Sequence, residues 1–94
     1  TTSFSEHKAL NEVYDGIIGL RDRFIESYQG KYGVVKGYKS FQIKEAIDPI
    51  NYLKDFCTSY EKFRLNLADG YLQQITDDIL ELLYSAIYKL KTLK

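Results

Sequence analysis

Between Tyr71 and Leu93 the residues Leu72, Ile75, Ile79, Leu82, Leu83, Ala86, Leu90 and Leu93 recur at steps of three and four. At about 100° per residue these positions share one face, so the stretch predicts one unbroken helix with a core-facing stripe. Leu80, Tyr84 and Ile87 form a second strip beside it, with Tyr88 beyond, and the apolar arc spans about half the circumference. An arc that wide predicts more than one covering neighbour.

The same periodicity runs backwards through the chain. Ser3 and Glu6 have the spacing of a capping box, which starts a first helix at Phe4 and carries it to about Gln29. Its inner face is Leu10, Val13, Tyr14, Ile17, Leu20, Phe24 and Tyr28, with Gly16 and Gly19 on the flank, where they allow a close helix approach or a kink. Gln29 to Lys39 breaks the pattern with Gly30, Gly33 and Gly37 and is the main loop. Ser40 caps a brief helix to about Ile47, and Asp48-Pro49 restarts the chain as a helix to about Leu67. That helix turns Ile50, Leu53, Phe56, Cys57, Tyr60, Phe63 and Leu67 inward, and Ala68-Asp69-Gly70 supplies a tight turn and an N-cap for the last helix. The expected fold is an all-α, antiparallel, four-helix-bundle-like arrangement of three long helices plus one short helix, a single domain over residues 1–94.

Composition narrows the function classes. With 13 basic and 13 acidic side chains there is no overall field to attract nucleic acid or an anionic membrane, so an electrostatic role has to be local. No apolar run approaches a membrane span, because Asp77, Asp78 and Glu81 interrupt the last helix. Cys57 is the single cysteine, which excludes an internal disulfide and, with no targeting segment in the sequence, favours an intracellular or virion setting. The absence of methionine predicts that residues before Thr1 were removed, with a functional N-terminal arm a candidate among them.

The search for catalytic chemistry is negative. His7 is the only histidine, so neither a His/Cys metal cluster nor a Ser-His-Asp arrangement can form within one chain. Cys57 lies on an apolar stripe without a local base and reads as a packed thiol. The loop glycines match neither the P-loop nor the dinucleotide fingerprint, and Asp77, Asp78 and Glu81 read as a solvated acidic face. No catalytic residue, metal site or cofactor is expected.

Three features remain. Lys31, Tyr32, Lys36, Tyr38, Lys39 and Lys44 interleave cations and rings without an acid, which suits phosphate and base-stacking contacts and makes them a candidate nucleic-acid surface, with Lys89, Lys91 and Lys94 able to extend it if the last helix ends beside the loop. Arg21 and Arg64 fall on apolar stripes, as candidates for a buried ion pair or for snorkelling at the edge. Leu80, Tyr84, Ile87, Tyr88 and Tyr52 are the candidate protein interface, because tyrosine suits a half-dry, half-wet contact. The expected function is a non-enzymatic structural or assembly protein, a self-associating homo-oligomer of which a viral coat-type subunit is one form. The alternative is a small immunity- or inhibitor-type protein that binds a partner through the same surface.

Overall fold

The computed structural model describes residues 4–34 and 48–92. They form three helices, α1 (Phe4–Tyr32), α2 (Pro49–Leu65) and α3 (Gly70–Thr92), and no strand occurs among them. The capping-box serine, Ser3, and the short helix expected over 40–47 lie outside the described residues.

Local chemistry sets the helix ends. α1 runs past Gln29 to Tyr32 and stops at Gly33, whose φ of +99° is left-handed and whose N–H reaches the Gln29 carbonyl at 2.9 Å. Glycine adopts that conformation without a Cβ penalty, and the bond satisfies an orphan carbonyl of the last turn. Asp48 caps α2: its carboxylate accepts from the Asn51 N–H at 3.2 Å, and Pro49 occupies the first turn, where a missing N–H costs nothing. α2 ends at Leu65, two residues before the expected Leu67, where the N–H groups of Asn66 and Leu67 turn back onto Phe63 and Arg64 at 3.0 and 3.1 Å. Gln73 then donates to the Leu67 carbonyl at 2.8 Å, which ties the turn to the first coil of α3.

α3 is the middle of the molecule. α1 and α2 each pack against it, while the backbones of α1 and α2 do not approach one another. α1 runs antiparallel to α3, since Gly16 lies against Leu82, Arg23 against Asp78 and Lys31 against Asp69. α2 is also antiparallel to α3, with Arg64 beside Asp77. The two flanking helices therefore run in the same direction, and simple up-down connectivity does not hold: Val34 and Asp48 sit at opposite ends of the bundle. Their side chains meet where Phe24 packs on Phe63 with ring centroids 5.6 Å apart.

The core follows from this order. Leu72, Ile75, Ile79, Leu80, Leu83, Ala86, Ile87 and Leu90 of α3 are buried, together with Ala9, Val13 and Ile17 of α1 and Leu53 and Cys57 of α2. On a helical projection the buried α3 positions span roughly 140°, wider than one seam, because two helices cover them. Thr76 is buried among them, and its hydroxyl is satisfied by the Leu72 carbonyl at 3.0 Å. Of the expected α1 stripe only Val13 and Ile17 are fully buried; Leu10, Tyr14, Leu20, Phe24 and Tyr28 are half-buried, and Phe24 reaches α2 through its ring.

Candidate interaction surface

The second apolar strip of α3 divides. Leu80 and Ile87 keep only 8% and 5% of their surface, within one core cluster with Leu53 and Cys57. They are thus the bed for α2 and not free interface. Tyr84 lies roughly 40 to 60° further round and Tyr88 roughly 80 to 100°, and they are 47% and 67% exposed. Tyr52, the fifth candidate, is half-buried on the other flank of α2, where its ring meets Phe56 edge-on at 5.1 Å. It shares no face with Tyr84 and Tyr88.

Tyr84 bridges the seam and the solvent. It interacts with Cys57 and Glu61 of α2, and desolvation, followed by those two groups, pushes its hydroxyl above the ordinary value. Burial likewise pushes the Cys57 thiol up, with Tyr84 pulling the other way, so the thiolate needed for nucleophilic chemistry is disfavoured. Next to this edge an open groove between α2 and α3 is lined by Thr58, Glu61, Lys62, Leu65 and Leu80. Leu65, at the tip of α2, is 82% exposed; the one signal for it in the sequence is that it falls off the inward stripe of α2.

The two arginines resolve differently from a buried pair. Arg64 forms a two-pronged bond to Asp77, Nη2 to Oδ2 at 3.2 Å, but both side chains are more than one-third exposed, so the pair closes the α2–α3 seam at its surface. The guanidinium is long enough to leave the stripe and reach α3. Arg21 is half-exposed, and its charge partly offsets the rise that burial imposes on the Tyr60 hydroxyl. The acidic run is also more than a solvated face: Asp77 reaches α2, while its neighbour Asp78 comes within 3.9 Å of Arg23 on α1. Adjacent positions about 100° apart bracket the two sides of the arc.

Of the candidate nucleic-acid residues, Lys36, Tyr38, Lys39 and Lys44 lie outside the described residues. Lys31 and Tyr32 are engaged elsewhere. The Lys31 ammonium and the Tyr32 hydroxyl both donate to the Asp69 carboxylate in the α2–α3 turn, and the ammonium lies over the Tyr32 and Tyr71 rings at 5.3 and 5.8 Å. Lys31 and then Tyr32 hold the Asp69 carboxyl below the usual carboxylate range, and both partners are pushed up in return. Asp69 thus clasps the end of α1 with the side chain that the sequence assigned to capping α3. Nothing in a local pattern could pair residues 38 apart. Because α1 and α3 are antiparallel, this clasp lies at the opposite end of the bundle from Lys89 and Lys91, so those lysines do not extend a patch with Lys31.

Among the described residues no group of three His, Cys, Asp or Glu side chains could hold a metal ion, and no helix is long and apolar enough to cross a membrane. The exposed large apolar side chains of the described surface include Leu65, Tyr84 and Tyr88. The chain belongs to a family of unknown function, DUF5856, which it matches over residues 1–90. No curated protein and no solved structure matches it.

Proposed function

We propose that this chain is a non-enzymatic assembly protein, a helical bundle that associates with copies of itself through the outer flank of α3. The observation that carries this reading is the pair Tyr84 and Tyr88, standing in solvent beside a groove that ends in an exposed leucine, on a helix whose aliphatic residues are otherwise in the core. Exposed rings grouped beside apolar surface are the composition of contact sites. A coat-type subunit is one form of such a protein. The finer fold in the proposal is a four-helix-like bundle, supported by the way α1 and α2 flank α3 without backbone contact, as diagonal members of such a bundle do.

Nucleic-acid contact is the weaker half of the reading, because Lys31 and Tyr32 are tied to Asp69. It rests on Lys36, Tyr38, Lys39 and Lys44. Light scattering coupled to size exclusion from micromolar to millimolar concentration tests the assembly reading: the mass is expected to rise with concentration, and a strict monomer throughout overturns it. The immunity- or inhibitor-type alternative predicts instead a monomer that captures one foreign protein stoichiometrically through the same flank.

A further inference from the structure

The outer flank of α3 carries a self-complementary pattern. Glu81, Tyr84, Tyr88 and Lys91 follow one another at steps of three, four and three, the i, i+3, i+7, i+10 spacing of a heptad seam, and all four are exposed. They occupy a strip centred roughly 130° from the middle of the buried arc, beyond Leu80 and Ile87, where Tyr84 touches Cys57 and Glu61 of α2 yet stays 47% exposed. Neither Glu81 nor Lys91 has an ion pair among the described residues, whereas Asp77, one turn before Glu81, is already taken by Arg64.

Read in the reverse direction, the strip matches itself. When a second α3 is laid antiparallel about a two-fold axis level with Ala86, Tyr84 of one copy comes opposite Tyr88 of the other and Glu81 comes opposite Lys91, each pair occurring twice. A parallel pairing would set Glu81 against Glu81 and Lys91 against Lys91, so charge selects the antiparallel arrangement. The groove beside the strip gives the second helix room to settle against Thr58 and Glu61 of α2.

We infer that the occupant of this flank is a second copy of the same chain, in an isologous antiparallel α3–α3 contact with the Tyr84 and Tyr88 rings at its centre and Glu81–Lys91 pairs at its ends. The inference rests on the self-association reading and names the surface for it. The test is a charge exchange followed by sedimentation equilibrium. Glu81→Lys and Lys91→Glu, each alone, place like charges opposite one another twice and are expected to weaken the dimer by roughly tenfold or more. The double variant restores opposite charges and is expected to return the dissociation constant to near that of the original chain. All four side chains are exposed, and unchanged helical circular dichroism checks that the fold is intact. Single variants that dimerise as well as the original, or a double variant no better than the singles, overturn this interface while leaving self-association standing. An original chain that stays monomeric at millimolar concentration overturns both.

Discussion

The two helices that flank α3 are held to it by different means. α2, 17 residues long, buries Leu53 and Cys57 in a bed made by Leu80 and Ile87, and Arg64 locks the seam at its edge with a two-pronged bond to Asp77. α1, 29 residues long, buries only Ala9, Val13 and Ile17, all in its first half. Its second half is held by the Phe24 ring on Phe63 of α2, by Arg23 beside Asp78 of α3 and by the clasp on Asp69. One seam is thus made of fitted aliphatic volume. The other combines small residues, which let the helices come close, with polar and aromatic contacts at the far end. A short helix needs each buried side chain; a long one can spread its attachment along its length.

Removing volume should separate the two seams most strongly. Leu83 has no exposed surface and shares one core cluster with residues of α1 and α2, and Leu53 has none and is the buried leucine of α2. Leu83→Ala and Leu53→Ala are each expected to cost about 2–5 kcal/mol in urea unfolding, through lost transfer energy and the cavity left behind. A cost below about 1 kcal/mol for Leu53→Ala would mean that α2 is held by its surface pair and not by its core contacts.

Adding volume probes the α1 seam. A Cβ at Gly16 would come within 2.7 Å of Leu82 Cδ2, whereas one at Gly19 meets nothing within 4 Å. Gly19→Ala is therefore expected to stabilise by about 0.5–1 kcal/mol through helix propensity. At Gly16 the same gain is offset by the shift forced on Leu82, and the net change is expected near zero. Truncating Leu82 as well should release that conflict, so a Gly16→Ala, Leu82→Ala double-mutant cycle is expected to show coupling. Equal gains at both glycines would show that the helices are not close at Gly16.

The smallest expected effect is at the clasp, and pH isolates it. Asp69 has a depressed folded-state value, so its contribution is present above the unfolded carboxyl value of about 4 and is lost as pH falls through the lower folded value. Asp69→Asn should therefore lower Tm relative to the original chain at neutral pH, with the gap closing below about pH 4. A gap that persists unchanged at acid pH would assign the loss to the turn itself and not to the charges of Lys31 and Asp69. Lys31 has the opposite sign: its raised value keeps its contribution complete through neutral pH, and that contribution is lost only as pH rises through the raised value in strong base.

The sequence by itself determined the three helices and most of their ends, because periodicity, an Asp-Pro restart and a glycine stop are local signals that act within a few residues. It indicated that α3 would need more than one neighbour, since an apolar arc that wide cannot be covered by one helix. It also marked Tyr84 and Tyr88, although it grouped them with Leu80, Ile87 and Tyr52. Tertiary structure decided what a one-dimensional pattern cannot hold: that α1 and α2 run parallel, that α2 settles on Leu80 and Ile87 and leaves the two tyrosines in solvent, and that Asp69 turns to Lys31 and Tyr32. Each of these depends on which side of α3 a helix docks and in which direction. Helix faces a few tens of degrees apart look alike along the chain, and they separate into core and surface only once a neighbour covers one of them.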